Sequence, residues 1–301
     1  TYTVTIDGVT VTDNTDGDST LSTDTIAADL KTGLDSGLSG FTIVRNGPVL
    51  YVRKNDNSNF SIDGSDTQGD TKMTIIKDSV QRFTDLPTVS PHGYVVEVKG
   101  DDETDFDNYY VKFVGNNTTT DGVLEEGQWE ETVEAGIPFK FDYATMPHIL
   151  VRQADGNFRF ARVDGDTYTI SGTNYTLPKW GERTVGDIVS APDPSFIGEK
   201  INNVFFFRNR LGFLAGDNVI LSRVSEFFNF FPETVVSVLD NEPIDVAASH
   251  TKVAILKSAV TMGEKLILFS EQTQFVLTSS ADNLTPKTAN VIVITEFENS
   301  A

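Results

Sequence analysis

The stretch VFFFRNRLGFLAGDNVILS at residues 204–222 decides the fold of this chain. Three short apolar runs are separated by turn-forming residues at 209–210 and 216–218, which predicts a tight antiparallel meander of three strands. A similar unit follows at 265–278 and 290–295, about 60 residues further on, near the spacing of β-propeller blades. Two units indicate a repeat without establishing one. The predicted fold of residues 180–301 is therefore an incomplete set of β-propeller blades.

Toward the N terminus, residues 87–179 contain predicted strands and no helical pattern. Trp129–Val133, Ile149–Arg152 and Phe158–Val163 are three of these strands, and Asp155-Gly156 is a turn between the last two. Short strands with regular turns are typical of a β-sandwich or of a barrel-like module.

Residues 1–86 combine strands with a helix. Alternating patterns on either side of Asp7-Gly8 and of Asn46-Gly47 predict two hairpins. Between them, apolar residues recur at helical spacing. The N-cap candidates of this helix are Ser22, Thr23 and Asp24, and its apolar face consists of Ile26, Leu30, Leu34 and Leu38.

Two further elements are predicted before residue 87. Met73–Ile76 has the pattern of a strand, and Val80, Phe83 and Leu86 suggest a short helix stopped by Pro87. The sequence thus predicts a mainly β protein with a small α+β module at 1–86, a β-sandwich or barrel-like module at 87–179 and the blades at 180–301. Because the β pattern begins at Thr1 and only residues 295–301 follow the last strand, we expect the chain to be an internal fragment of a longer protein.

The composition limits what the chain binds. Its 301 residues include 44 acidic and 23 basic side chains, a net charge of −21, which disfavours a protein that grips phosphates. The 21 phenylalanines supply enough apolar material for folded cores. Cysteine is absent, which excludes disulfides, thiolate metal sites and cysteine nucleophiles within the chain.

No motif for catalysis or for nucleotide binding is present in the sequence. His92, His148 and His250 are isolated from one another, and neither a Gly-x-Ser-x-Gly elbow nor a phosphate-binding glycine loop occurs. The sequence therefore predicts no catalytic residue, no cofactor and no metal ligand.

Acidic clusters leave one structural alternative open. Asp101, Asp102, Glu103, Asp105 and Asp107 crowd one loop. A second group at Asp13, Asp16 and Asp18 is similar. Neither has the spacing of an EF-hand, so a solvated turn is the simpler interpretation and a calcium-stabilised domain is the alternative.

Trp129 lies among carboxylates in a way that suggests a second function. The pairs Glu125-Glu126 and Glu130-Glu131 flank this tryptophan, as in a sugar-binding cleft with two catalytic acids. Neighbouring residues in a strand point to opposite faces, so Glu130 and Glu131 cannot form one catalytic pair there. A module that binds or degrades polysaccharide is kept as the alternative function.

Arginines among phenylalanines allow two interpretations of the central stretch. Arg208 and Arg210 beside Phe205 to Phe207 resemble a nucleic-acid surface, but the arginines of a buried hairpin also bind its turn or an acidic neighbour. The second interpretation is the stronger one. Phe227, Phe228, Phe230 and Phe231 form either a core or a subunit contact, of which a core is favoured.

Several distinctive strings follow one another along the chain: QWEET at 128–132, TMPHILVR at 145–152, WGER at 180–183, GD at 186–187, PSFIG at 194–198, FFRNRLGFL at 206–214, NVILS at 218–222, NFF at 229–231, Asp240 with PID at 243–245, and LTPKT at 284–288. In this order they resemble the tail nozzle proteins of short-tailed bacteriophages, also called tail tubular protein B. The residues expected to have structural roles are Trp129, Met146, Pro147, His148, Arg152, Trp180, Arg183, Phe207, Arg208, Asn209, Arg210, Leu211, Gly212, Phe213, Asn229, Pro243, Asp245 and Pro286.

The resemblance implies a non-enzymatic subunit of a sixfold ring in the virion tail, built as a β-propeller with inserted, platform-like β-rich domains. The ring would lie below the adaptor ring, tail tubular protein A, and form the distal channel through which double-stranded DNA leaves. The resemblance also implies a contact with the host cell surface at the distal end of the ring, with the tail fibres as further partners. Because lysines or arginines facing the channel would hold phosphate, the excess of acidic residues predicts an acidic or neutral channel lining.

Overall fold

A computed structural model of the chain describes residues 1–14, 22–100, 108–116, 122–249 and 254–296. β-strands are the main regular structure of these residues, and a single α-helix occurs among them. They form two compact units, Thr1–Thr132 and Val133–Ala301. The predicted mainly β fold class is confirmed, whereas the division into modules at 1–86, 87–179 and 180–301 stays a prediction.

The first unit consists of a helix, a hairpin and two sheets. Its elements are β1 (Tyr2–Ile6), β2 (Val9–Asp13), α1 (Thr23–Gly37), β3 (Phe41–Asn46), β4 (Val49–Lys54), β5 (Ile62–Asp66), β6 (Ser79–Val80), β7 (Val89–Pro91), β8 (Val95–Val98), β9 (Tyr109–Gly115) and β10 (Leu124–Thr132). The sheet orders are β2-β1-β5 and β6-β8-β9-β10-β7, and β3 pairs with β4. Both predicted hairpins are present.

Helix α1 begins where the sequence predicts. The Ser22 hydroxyl accepts a hydrogen bond from the Thr25 amide at 3.1 Å, and Thr25 Oγ1 accepts one from the Ser22 amide at 2.9 Å. This reciprocal pair is a capping box, which satisfies amides that the first helical turn leaves free. Ile26, Leu30 and Leu34 are buried in a core shared with β1 and β3.

The strand predicted at Met73–Ile76 is wrong. The strand that joins β1 is instead β5, which ends at Asp66. The Asp66 carboxylate accepts hydrogen bonds from the amides of Gln68 and Lys72, both at 2.7 Å, and from the amide of Met73. Because a side chain binds these amides, the segment forms a loop instead of a ladder.

The short helix predicted through Val80, Phe83 and Leu86 is confirmed only in part. Strand β6 includes Val80 and pairs in parallel with β8. A 3₁₀ turn at Phe83–Asp85 follows, in which the Phe83 side chain is exposed. Pairing with β8 fixes an extended backbone, so the apolar positions share no helical face.

The second unit contains two ribbons and two four-stranded sheets. Its strands are β11 (Ile149–Arg152), β12 (Phe158–Ala161), β13 (Thr167–Ile170), β14 (Thr173–Thr176), β15 (Ile201–Phe207), β16 (Arg210–Ala215), β17 (Asn218–Leu221), β18 (Ile244–Ala247), β19 (Ser258–Met262), β20 (Lys265–Phe269), β21 (Gln274–Ser279) and β22 (Ala289–Thr295). Sheet I has the order β15-β16-β17-β18 and sheet II the order β19-β20-β21-β22. Both are antiparallel meanders, and β18 and β19 extend each predicted unit to four strands.

Sheet I contributes alternate residues to two cores. The inner core lies between the two sheets and includes Phe207, Leu214, Val219, Leu221 and Ile244 of sheet I and Leu266, Leu268, Phe275 and Leu277 of sheet II. The aromatic core lies on the opposite face of sheet I and includes Phe141, Met146, Val163, Trp180, Phe196, Leu211, Phe213, Ala215, Ile220, Phe230 and Phe231. Every residue of β16 is buried, because successive strand residues alternate between these cores.

Candidate functional site

The aromatic core gathers several of the residues that carry the resemblance. The ring of Phe213 stacks on that of Phe230 with 5.2 Å between centroids, and Phe196 meets both edge-on at 5.2 and 5.1 Å. Trp180 packs beside Phe213 at 6.2 Å. Such offset and edge-on pairs stabilise beyond the apolar area they bury. Of the four phenylalanines expected in a core, Phe230 and Phe231 are buried here, and Phe227 and Phe228 are partly buried and pack against them.

Arg183 is buried and binds the chain's own backbone. Its Nε donates to the Ala191 carbonyl at 2.7 Å, and its guanidinium also contacts the Pro138 carbonyl and pairs with Asp193 at 2.9 Å. The same guanidinium lies 5.0 Å from the ring centroid of Phe231. Arg183 therefore joins two loops to the aromatic core.

Arg210 is almost completely buried and holds the segment between β17 and β18. Its guanidinium donates to the carbonyls of Ser222 at 2.7 Å, of Asp240 at 3.1 Å and of Glu242. Burial lowers the pKa of Arg210 to about 10, so the side chain is still charged near neutral pH. A charged donor to several carbonyls fixes where this covering segment lies.

Arg208 and Asn209 form the turn between β15 and β16, and both have positive φ angles, 46° and 62°. The Arg208 guanidinium reaches the carbonyls of Glu264 at 3.3 Å and of Asp282 at 3.4 Å, in turns of sheet II. Asn209 Nδ2 donates to Ser225 Oγ at 3.1 Å. Arg208 and Arg210 thus bind the protein's own backbone, which confirms the hairpin interpretation of these arginines.

The absence of a side chain at Gly212 leaves room for the Phe205 ring on the neighbouring strand. It pairs with Phe205, and a Cβ at position 212 would lie 2.3 Å from the Phe205 ring. That distance is far below van der Waals contact. Glycine is therefore needed here for close approach, while its neighbours Leu211 and Phe213 enter the aromatic core.

Asn229 organises the loop that supplies Phe230 and Phe231. Its Oδ1 accepts from the Phe231 amide at 3.1 Å, and its Nδ2 donates to Glu226 at 2.9 Å. The Asn229 carbonyl accepts from the Arg223 amide at 2.9 Å. The side-chain amide and the backbone carbonyl of Asn229 therefore fix the shape of a turn, which is a structural role.

Asp245, Pro243 and Pro286 lie at strand ends and turns. The Asp245 carboxylate accepts from the Ser195 amide and from Asn218 Nδ2, both at 2.8 Å, and so joins β17 and β18 to the preceding loop. Pro243 directly precedes β18. Pro286 is the second residue of a turn closed by the Thr288 amide and the Thr285 carbonyl at 3.1 Å, where proline is favoured.

The TMPHILVR string leads into the ribbon β11–β12. Met146 is buried in the aromatic core, whereas Pro147 is half-buried. His148 Nδ1 lies 2.9 Å from the Met146 carbonyl, and its ring stacks on Phe160 with 5.3 Å between centroids. Arg152 is on the exposed face of the ribbon.

Trp129, in the first unit, is a packing residue. Its indole Nε1 donates to the Pro87 carbonyl at 2.8 Å, and its ring packs edge-on against Phe113 and Tyr94 at 5.2 and 6.0 Å. The half-buried Trp129 thus has a packing role, and none of these contacts supports the sugar-stacking role considered for it, which stays a prediction.

Among residues 1–14, 22–100, 108–116, 122–249 and 254–296, no group of histidine and carboxylate side chains is placed to hold a metal ion. The acidic loop at 101–107, Asp16, Asp18 and His250 lie outside the described residues. His92 Nδ1 accepts a hydrogen bond from the Gly115 amide at 3.3 Å, a structural contact. No helix in the described part of the chain is long and apolar enough to span a membrane.

The sequence did not reveal the charged cluster in the segment between β17 and β18. Arg223 pairs with Glu226 at 3.2 Å and with Glu233, and Glu242 is buried close by. Glu242 accepts a hydrogen bond from the Leu239 amide at 3.2 Å, and burial raises its pKa. The only signal of this cluster in the sequence is an arginine and glutamates that alternate with phenylalanines. The spacing of these residues does not indicate that the charged groups are buried.

A mainly β chain whose singled-out residues serve cores, turns and loops has the features of a structural building block. The chain matches the family model described as bacteriophage nozzle protein over residues 1–301, and it belongs to this family. It is also similar to Tail tubular protein gp12 of Escherichia phage T7, with 36% identity over 274 residues, which cover 91% of this chain and 31% of that protein. The chain thus spans about a third of the length of this curated relative, and the predicted resemblance is confirmed.

Proposed function

We propose that this chain is part of a structural subunit of a phage tail nozzle, which forms the distal DNA-ejection channel of the virion. The observation that carries the proposal is the family match over residues 1–301. The contacts within the chain support it, because Arg183, Arg210 and Asp245 all bind neighbouring loops or strands. Rigid loop positions suit a channel that withstands the passage of a genome.

The charge of the chain is suited to a DNA passage. With 44 acidic and 23 basic residues, the surface repels phosphate by default, and few cations are available to slow the DNA. Arg208 and Arg210, the arginines nearest to a nucleic-acid pattern, are engaged by backbone carbonyls. The lining of the assembled channel is expected to be acidic or neutral.

The proposed architecture of the whole subunit is a β-propeller with inserted β-rich domains. Sheets I and II support it, since each is a four-stranded antiparallel meander and the two share a core face to face. This is the arrangement of neighbouring propeller blades. In the proposed tail, six subunits form a ring that contacts the adaptor ring, with the fibres and the host surface as further partners.

No specific observation favours the polysaccharide alternative. Its motivating residue, Trp129, is packed against Phe113 and bonded to Pro87, and Glu130 and Glu131 are neighbours in strand β10. The proposed function therefore includes no enzymatic activity for these residues.

The proposal is tested by imaging intact tails that carry a label fused to this protein. A label in a sixfold ring at the distal end of the tail is the expected result. Labels on the capsid or along the fibres would overturn the assignment. A map of electrostatic potential of the ring adds a second test, because a continuous channel lining of lysine and arginine would contradict the proposed acidic or neutral passage.

A further inference from the structure

The ribbon β11–β12 presents an apolar face to solvent. Leu150 lies opposite Phe160 and Arg152 lies opposite Phe158, so all four side chains are on one face. The exposed fractions are 63% for Leu150, 62% for Phe158 and 72% for Phe160. We call this surface, made of Leu150, Arg152, Phe158 and Phe160, the ribbon face.

The ribbon is held in place by its other side. Ile149 packs against the aromatic core, and the Arg159 guanidinium lies 4.7 Å from the ring centroid of Tyr168. His148 stacks on Phe160 and orients that ring. The ribbon face is therefore a preorganised surface on a fixed support, which lowers the entropic cost of binding.

The ribbon face is comparable in area to the largest apolar patch of a typical monomer. Its three apolar side chains expose roughly 300 Å², at the lower end of the range for such patches, which are often functional. Within the described residues no third strand pairs with β11 or β12. Because a stable contact buries about 800 Å² on each partner, the ribbon face has the size of the central, desolvated part of an interface.

The charge of the ribbon is opposite to that of the chain. Residues 146–163 contain Arg152, Arg159 and Arg162 against Asp155, a net charge of 3 − 1 = +2, whereas the whole chain carries −21. The Arg152 side chain makes no hydrogen bond or ion pair with the described residues. A second copy of this acidic chain offers the complementary surface at matched concentration and in matched orientation.

We propose that the ribbon face is a contact to a second copy of this protein, with Phe158 and Phe160 as apolar anchors and Arg152 paired to a carboxylate of the neighbour. Because a basic, apolar patch does not complement itself, it meets a different surface of the next copy, and such a heterologous contact builds a ring where the rotation between copies closes. The inference rests on the proposed function, in which the protein forms a ring. Duplex DNA is disfavoured as the occupant, since its backbone leaves Leu150 and both phenylalanine rings without apolar partners.

Photo-cross-linking identifies the occupant directly. Benzoylphenylalanine, close in shape to phenylalanine, replaces Phe158 in the full-length protein, and tails are assembled from an equal mixture of ¹⁴N- and ¹⁵N-labelled subunits. Cross-linked peptides of mixed isotopes are expected, because the partner is another copy. Peptides that pair only like isotopes reveal a segment of the same polypeptide on the ribbon face and overturn the inference, as does a cross-link to DNA or to another tail protein.

Two variants test the contact by a different measurement. Phe160→Ser removes an anchor, and Arg152→Glu reverses a charge without disturbing the packed side of the ribbon. Each is expected to weaken the association of full-length subunits at least tenfold, as measured by sedimentation or by incorporation into tails. Val189→Ser, at a more exposed residue of the same unit, is the matched control and is expected to leave association unchanged.

The outcomes separate this inference from the proposed function. If wild-type rings form and both variants form them equally well, the ribbon contact is wrong while the nozzle assignment stands. If the wild-type protein forms no ring in solution or in tails, the proposed ring and the ribbon contact both fail. A loss of association in Arg152→Glu with an unchanged melting temperature supports the contact, since misfolding is then excluded.

Discussion

Sheets I and II have the same strand order and differ in how many of their faces are covered. Sheet I is buried between the inner core and the aromatic core. Sheet II shares the inner core, but on its opposite face Val260, Met262, Ile292 and Ile294 are exposed within the described part of the chain. Two similar meanders therefore occupy different environments in one compact unit.

The difference shows that the covering of a sheet is decided outside the sheet. The second face of sheet I is covered by residues from the connecting segments, among them Phe141, Trp180, Phe196 and Phe230. Strand alternation shows which residues share a face, but it does not show what lies over that face. The apolar outer face of sheet II is accordingly a surface to which a further layer of the full-length protein can be added.

The largest effect is expected from Phe213→Ala, because this ring is buried beside Phe196 and Phe230 in the aromatic core. Loss of the ring should lower the free energy of local unfolding by about 3–5 kcal/mol, measured by hydrogen exchange of β16 amides in the full-length protein. Phe206→Ala, at an exposed ring of the same hairpin, is the control and should cost about 1 kcal/mol or less. Equal losses would mean that sheet I is not covered on the aromatic side.

A smaller loss is expected from Gly212→Ala. The added methyl group would lie 2.3 Å from the Phe205 ring, so the ring must move and the free energy of unfolding should fall by about 1–3 kcal/mol. The double variant Gly212→Ala with Phe205→Leu makes room and should recover part of the loss, which a double-mutant cycle measures. Strict additivity would contradict a direct clash.

Local signals in the sequence predicted much of this fold. The Asp7-Gly8 and Asn46-Gly47 hairpins, the Ser22 cap and the meander at 204–222 all depend on residues close together in the chain, and all are present. Strand β5 was missed, because it pairs with β1 across more than fifty residues. Long-range pairing of this kind leaves no local pattern.

The residues of the candidate site likewise fall into those that local sequence signals predicted and those that depend on long-range contacts. The hairpin was predicted with its turn at 209–210, and the structure has that turn one residue earlier, at Arg208 and Asn209. The burial of Phe230 was predicted because this residue lies in an apolar run. Phe141 and Phe196 come from irregular segments without periodicity. Their place in the aromatic core depends on the three-dimensional arrangement alone.

A pH-dependent change in stability, smaller than the loss from Gly212→Ala, is expected from Glu242→Gln in the segment held by Arg210. Burial raises the pKa of Glu242, so the folded state binds its proton more tightly than the unfolded state does. Its contribution to stability is present below the ordinary pKa and is lost as pH rises through the raised pKa. The glutamine variant cannot ionise.

Hydrogen exchange of the segment, corrected for intrinsic rates, measures this effect between pH 4 and pH 7. Relative to wild type, Glu242→Gln should gain stability as pH rises across this range. Glu226→Gln, at a more exposed carboxylate that pairs with Arg223 at 3.2 Å, is the control and should show no such gain. A wild-type profile parallel to that of Glu242→Gln would contradict the raised pKa.

The smallest change in the free energy of unfolding is expected from a substitution on the outer face of sheet II. This substitution tests most directly whether sheets I and II differ in how their faces are covered. Val260 faces outward, whereas Val291 of the same sheet packs against the inner core. Valine and threonine are similar in shape, so Val260→Thr should change the free energy of unfolding by less than about 0.5 kcal/mol, while Val291→Thr should cost about 1–2 kcal/mol. Hydrogen exchange of β20 and β21 amides in the full-length protein gives both values. Equal losses would show that the outer face of sheet II is covered there as fully as sheet I is, which is the arrangement that a further propeller blade requires.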